Sequence, residues 1–392
     1  MINSNTRYHF KALQSGKVYL DTAATSLTPD VVVDKMAEYY NEYPSNVHRG
    51  NYAWGDVATA EYEGVRDKVR EWCNANNYEI VFTSGATFSS NLIYYNLKNL
   101  GVTKSIISLN DHHANIVPYR LHNIQAEQIP VPDNGVFNEE ELFKYGPLDA
   151  HILHISGVFN ATGQILDIEK ITHRAKELGG LVALDMSQHM SHDILDADKV
   201  NADFYYWSSH KHYGPTGTGI MLIKKDIAEH MEPLIGGGAQ VSNVTEDKVE
   251  FWEVPLKLEA GTPNIAGVIG TGASIDFMQE IGMNVIHEHT QNLLGMCIKE
   301  LRERKIPIIC DELPLDQRGG LVSFTIPGQH SFDVSVALGL KDIYVRSGKL
   351  CAHPVVNKLS DNGVIRVSVG VNNNEVDIAR FLGALDQVLT YG

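Results

Sequence analysis

A chain of 392 residues, 43% hydrophobic and 20% charged, is long enough for a sizeable core and roughly two domains, and its composition excludes disordered and collagen-like classes. Its net charge of −16, from 32 basic against 48 acidic side chains, excludes generic binding to nucleic acid or anionic membrane, while leaving room for a local basic pocket that takes a phosphate or carboxylate. The first residues, Met-Ile-Asn-Ser-Asn-Thr-Arg, lack the apolar run of a signal peptide, and no apolar stretch reaches the length of a membrane span, so a soluble cytoplasmic protein is expected.

The cysteines, Cys73, Cys297, Cys310 and Cys351, are scattered, with no C-x-x-C pair. That pattern is neither a disulfide framework nor a zinc ribbon, so any functional cysteine acts singly, as a thiolate.

In chain order, residues 18–21 read as a short strand. Thr28-Pro29-Asp30 then opens a helix with Val31, Val32, Met36 and Tyr39 on its apolar face, and residues 57–75 read as a second amphipathic helix. Strand-like runs follow at 79–82, 105–109, 152–155, 181–184, 204–207 and 219–223. Helices are predicted between them over 87–97 and over 168–178, the latter with Ile168, Ile171, Ala175 and Leu178 at helical spacing. Short apolar runs alternating with amphipathic helices imply an α/β domain built on a mostly parallel sheet. After Gly261-Thr262-Pro263-Asn264 the pattern changes to a long helical region over 266–304, strands at 321–325 and 365–369, and a last helix over 375–389. The expected division is an N-terminal segment 1–17, a large domain 18–262 and a smaller α+β domain 263–392.

Parallel sheets bind ligands beyond the carboxyl ends of their strands, so those positions carry the chemistry. Phe82-Thr83-Ser84-Gly85-Ala86-Thr87 runs from strand through glycine into helix. Such a turn offers free backbone N–H groups and a positive helix end to an anion, with the Thr87 hydroxyl as an addition; it also serves as an ordinary turn and cap. Asp185 ends an apolar strand, where a carboxylate needs a cation or donors. A protonated pyridine nitrogen would suit it, as would a helix N-cap, and Gln188 stands close behind to reach a ring oxygen. Lys211 follows another apolar strand, in Ser208-Ser209-His210-Lys211-His212-Tyr213-Gly214-Pro215. There a lysine pairs, snorkels to water, or loses its proton and becomes a nucleophile towards carbonyls; Ser208 and His210 beside it suit a phosphate.

His112-His113 follows the strand at 105–109. The other histidines raise metal binding, but no His-x-x-x-His pair has a nearby acidic ligand and no cysteines cluster, so no metal is expected. An imidazole stacked on an aromatic cofactor is the sharper reading. Cys351 sits in a loop punctuated by glycine and proline, between Lys349 and His353, where positive charge favours the reactive thiolate over an inert thiol. Arg366 lies in a strand and calls for an anionic partner, a substrate carboxylate being one candidate.

Together these segments resemble the class V aminotransferase family of fold-type I pyridoxal 5′-phosphate (PLP) enzymes, and within it the group II cysteine desulfurase and selenocysteine lyase branch. The likeness runs almost end to end. It is carried by Tyr19-Leu20-Asp21-Thr22-Ala23-Ala24, Val47-His48-Arg49-Gly50, Asp111-His112-His113-Ala114-Asn115-Ile116-Val117-Pro118, Ser208-Ser209-His210-Lys211, Gly236-Gly237-Gly238, Glu259-Ala260-Gly261-Thr262-Pro263-Asn264, and Arg346-Ser347-Gly348 with Cys351-Ala352. Asp185-Met186-Ser187-Gln188 stands where Asp-Gly-Ala-Gln is more usual.

The resemblance implies a large PLP-binding domain and a small domain carrying the Cys351 loop. By it, Lys211 carries PLP covalently and moves the substrate Cα proton, Asp185 holds the pyridinium nitrogen, and His112 stacks on the ring and serves as an acid. Ala86, Thr87, Ser208 and His210 cradle the phosphate, and Gln188 and Asn160 face the ring oxygen or the substrate. Arg366 takes the substrate carboxylate, with Ala24 and Asn160 also at the substrate. Thr262 reaches the phosphate of a neighbouring subunit, implying a homodimer. Cys351 takes sulfur from L-cysteine as a persulfide and passes it to an acceptor protein, in a pathway such as iron–sulfur cluster assembly. A selenocysteine lyase, a kynureninase-like hydrolase, an aminotransferase or a non-catalytic scaffold are the alternatives.

Overall fold

The computed structural model describes residue 2 and residues 4–391; residues 1, 3 and 392, at the two ends of the expected segments, lie outside the described residues. The strands in chain order are β1 (Val18–Tyr19), β2 (Tyr78–Thr83), β3 (Lys104–Ser108), β4 (Gln125–Ile129), β5 (His151–Ser156), β6 (Leu181–Asp185), β7 (Phe204–Ser208), β8 (Gly219–Lys224), β9 (Val241–Val244), β10 (Val249–Phe251), β11 (Leu321–Phe324), β12 (Ile343–Tyr344), β13 (Arg346–Gly348) and β14 (Val364–Ser368).

Seven of them form one sheet in the order β2-β8-β7-β6-β5-β3-β4. β8 runs antiparallel to both neighbours, and the other pairings are parallel. Alternation along the strands sends Val182 and Leu184 of β6 into one apolar core and Ala183 into another, as it does Leu153 and Ile152 of β5. Both faces are therefore covered, which is why these strands read as continuous apolar runs. The antiparallel β8 leaves the carboxyl ends of β2, β3, β5, β6 and β7 on the same edge of the sheet.

A separate core gathers β11 and β14 with the helices Met283–Glu303 and Glu375–Tyr391, and also includes Val18 and Leu20. β1 pairs in parallel with β12, so the start of the chain is stitched to its last third. β11, β14 and β13 form a separate antiparallel sheet.

Three expectations are corrected. The helical region 266–304 is two helices, Ile265–Ile281 and Met283–Glu303, because Gly282 adopts φ +91°, outside helical geometry. Val31, expected on the buried face of its helix, is exposed, while Val32 and Tyr39 are buried. β4 and the β9–β10 hairpin add strands where none was expected. Among the described residues no helix is long and apolar enough to cross a membrane.

Candidate active site

A cavity of about 370 Å³ opens over the strand ends. Lys211, Cys351, His112, Ala86, Thr87, Asn160, Asp185, Gln188, Ser208, His210, Arg366 and Ala24 all line it, drawn from the main sheet, the small sheet and the N-terminal segment. Thr262 does not. Its hydroxyl accepts from Asn46 Nδ2 at 3.3 Å, beside a different cavity shared with Arg49 and Trp252.

One end of the cavity is built for an anion. Gly85, at φ +147°, turns the chain from β2 into the helix Ala86–Asn96, and the Ala86 N–H donates to Ser208 Oγ at 2.9 Å. Ser208 and the start of that helix are thereby held together at the end of β7. The carboxylate of Glu259 supports the same corner from behind: it accepts from the Phe82 N–H at 2.8 Å and pairs with buried Arg66 at 2.9 Å. His210 shares a hydrogen bond with Thr25 through Nδ1, at 3.1 Å, and burial lowers its pKa to about 4, so it sits there neutral.

Asp185, at the end of β6, is held by donors. It accepts from the Ser187 N–H at 2.9 Å and from Asn115 Nδ2 at 3.3 Å. The same amide donates to Asp111 at 2.9 Å, and its carbonyl oxygen accepts from the Tyr206 hydroxyl at 2.7 Å, which in turn contacts His154 Nε2. Because the carboxylates of Asp111 and Asp185 are acceptors, the Asn115 amide nitrogen faces them and its oxygen faces the Tyr206 hydroxyl. Asp111 is fully buried and also receives the Ser156 N–H at 2.9 Å; burial lifts its pKa to about 6, and burial raises that of Asp185 too, against the pull of its donors and of Lys211.

Lys211 Nζ and Gln188 Nε2 both donate to the Ala23 carbonyl. Burial, reinforced by the Arg366 cation, draws the Lys211 ammonium down to about 7, the condition in which a lysine acts as nucleophile and base. His112 accepts the Ala114 N–H on Nδ1 at 3.0 Å, so its ring proton is on Nε2. Burial first, then Lys211, lowers its pKa to about 4.

Arg366, in β14, donates to the Asn160 carbonyl at 2.9 Å and to Asp21 at 3.2 Å. Its Nε and the side-chain oxygen of Asn160 are buried with no protein partner. Two unpartnered groups of opposite character beside a cavity are suited to a zwitterionic ligand.

Cys351 is the exposed cysteine; Cys73, Cys297 and Cys310 are buried. Its loop is unusual in backbone, with Leu350 and Cys351 both at φ +53°, conformations that cost about 1–3 kcal/mol each in residues other than glycine. Lys349 does not line the cavity, and its ammonium donates to the carbonyls of Ser360 and Asp361, at 3.0 and 3.1 Å. The cations sharing the cavity with Cys351 are Arg346, Arg366 and Lys211.

Asp111, Asn115, Ser156, Asp21 and Arg346 join the site without a role expected from the sequence. Asp21, Asp111, Asn115 and Arg346 lie within the segments that carry the family resemblance, which is the signal that could have found them. The unusual Met186 is also accounted for, since a Cβ at Gly157 would come within 3.2 Å of its sulfur: the side chain added at one position fills the space left bare at the other.

Comparison with known proteins agrees with this geometry. The family model for aminotransferase class-V matches residues 18–381. A probable cysteine desulfurase of Pyrococcus abyssi is 35% identical over 382 residues, covering 95% of this chain and 94% of the relative. The apo structure of a cysteine desulfurase from Thermococcus onnurineus superposes with a TM-score of 0.93 at 32% identity, covering 100% of this chain and 99% of the other. An S-sulfonic acid form of a cysteine desulfurase from Escherichia coli gives 0.90 at 30% identity, covering 100% and 99%.

Proposed function

This chain belongs to the class-V aminotransferase family, and on that premise we propose that it is a PLP-dependent cysteine desulfurase. The overall reaction converts L-cysteine and the Cys351 thiol to L-alanine and a Cys351 persulfide. The substrate's C–S bond breaks, an S–S bond forms, and the protons end on alanine. The observation that carries the reading is that Cys351, Lys211 and Arg366 line one cavity although Lys211 follows β7 of the large sheet while Cys351 follows β13 and Arg366 lies in β14 of the small one.

The residues present fit the cofactor. Ser208, His210, Thr87 and the Ala86 end of its helix would take the phosphate, Asp185 the pyridine nitrogen and Lys211 the aldehyde, with His112 and Gln188 against the ring. PLP, when bound, supplies an electron sink for the pair left at Cα. Arg366 then orients the substrate by its carboxylate, and the Asn160 side-chain oxygen stands beside it as an acceptor for the substrate's nitrogen. Lys211 Nζ, with its pKa near 7, takes the Cα proton and returns a proton for alanine. His112 Nε2, which carries a proton, is the neutral acid on the ring side. Cys351 attacks the substrate sulfur, and its exposure lets the persulfide reach an acceptor protein in the cytoplasm, feeding a process such as iron–sulfur cluster assembly.

The working unit of this proposal is a homodimer. Support comes from Thr262, held by Asn46 away from its own cavity, and from the nearby β9–β10 hairpin, which exposes Val244, Val249, Phe251 and Trp252. The proposed division into 18–262 and 263–392 is amended in its packing: Val18 and Leu20 join the core built around β11 and β14, and the helix Ile265–Ile281 packs in the large domain's core with Tyr62 and Val65.

The test is turnover of L-cysteine by the PLP-loaded protein with a reductant, sulfide and alanine being measured together. Equal amounts are expected. A loaded protein that releases neither would remove cysteine as substrate and direct the assay to selenocysteine and other amino acids.

A further inference from the structure

Leu350 and Cys351 stand side by side in the left-handed region, and Gly348 is at φ +98°. Such a backbone persists only where the surroundings hold it. Within the loop, the Ala352 N–H donates to the Lys349 carbonyl at 2.9 Å, closing a turn. From outside, Asn160 Nδ2 donates to the Leu350 carbonyl at 2.6 Å. Two further attachments belong to His113. Its backbone N–H donates to the Cys351 carbonyl at 2.8 Å, and its Nε2 accepts the His353 N–H at 3.1 Å, with the two imidazoles edge to face at 4.6 Å. Because Nε2 accepts, the ring proton of His113 is on Nδ1.

His113 therefore grips the loop on both sides of Ala352, while its neighbour His112 faces the cavity that His113 itself does not line. We propose that His113 is a positioning residue for Cys351, fixing the strained loop so that the thiol is presented to the cavity lined by Lys211 and His112. This rests on the desulfurase reading for its effect on turnover, but the grip on the loop is independent of it. His113 acts through the loop and touches neither substrate nor cofactor.

Removing the ring takes away the acceptor for the His353 N–H and leaves the backbone contact to Cys351 alone. The two left-handed residues can then relax and the thiol drifts from the cavity. Glutamine places a side-chain oxygen about where Nε2 lies and restores the acceptor.

The test compares the PLP-loaded wild type with His113→Ala and His113→Gln by hydrogen exchange resolved to residues 349–354 and by steady-state kinetics with L-cysteine. The expected result for His113→Ala is exchange at the His353 amide faster by at least ~10-fold, and kcat lower by roughly 10-fold with KM little changed, since thiol placement and not substrate capture is disturbed. His113→Gln recovers most of both. Unchanged exchange at His353 in His113→Ala, or a glutamine variant no better than alanine in both readouts, overturns the proposal. A wild type that does not turn over cysteine counts against the substrate, and the exchange comparison still decides the grip.

Discussion

Arg366 reaches the carboxylate of Asp21 at 3.2 Å, so the cation assigned to the substrate carboxylate already has an anion inside the protein. Arg346 stands 3.7 Å from the other oxygen of Asp21. Asp21 holds the guanidinium in place while Nε of Arg366 stays unpartnered. Lysine at this position keeps the charge and loses the fork. Arg366→Lys should raise KM for L-cysteine by roughly 10–100-fold with a smaller effect on kcat, the pattern of a lost binding contact. Steady-state alanine formation measures it. An unchanged KM would move carboxylate recognition to Arg346.

Lys211 makes the stability of the cofactor-free protein depend on pH. Its ordinary pKa of 10.5 falls to about 7, through burial first and the Arg366 cation second. Between those values the unfolded chain holds a proton that the folded chain lacks, so stability rises with pH across the window, by at most about 1.4 kcal/mol per pH unit. Below about 7 both states are protonated and the slope from this group vanishes. In Lys211→Met the rise should flatten across the same window, as read by urea unfolding at a series of pH values. Identical slopes for the two proteins would show that Lys211 is not the group responsible.

The donor chain behind Asp185 gives a third prediction. Tyr206→Phe removes the donor that, among the described residues, Asn115 Oδ1 accepts from, and leaves that oxygen buried without a partner. A loss of about 1–3 kcal/mol in stability is expected. With Asn115 anchored only through its nitrogen, Asp185 also loses part of its support, so the PLP dissociation constant should rise. Urea unfolding of the cofactor-free protein and titration with PLP give the two numbers; a stable variant with unchanged PLP affinity would mean that Asn115 holds its orientation without the tyrosine.

The strand ends that build the cavity were legible because each follows an apolar run. Asp185 and Lys211 are polar residues ending buried strands, and that contrast is visible in one dimension. What joins these ends was not. Asp111 meets Ser156 across 45 residues, Asn115 meets Asp185 across 70, and Asp21 meets Arg366 across 345. No local pattern encodes such pairs, so Asp111 and Asn115 stood in a recognised motif without roles. β4 escaped because Gln125, Glu127 and Gln128 break the apolar run, as expected of a strand at the sheet's edge. The helix break at Gly282 was masked by apolar neighbours on both sides, which continue the helical pattern although the glycine backbone does not.

The most direct test of the account is a single turnover of the PLP-loaded protein with L-cysteine and no reductant, followed by mass analysis of the peptide containing Cys351. The account predicts one added sulfur on Cys351, removable by a thiol, in step with one alanine released, and neither product from Cys351→Ala although that variant keeps its PLP. Alanine released at the normal rate by Cys351→Ala, or sulfur found on another cysteine, would contradict it.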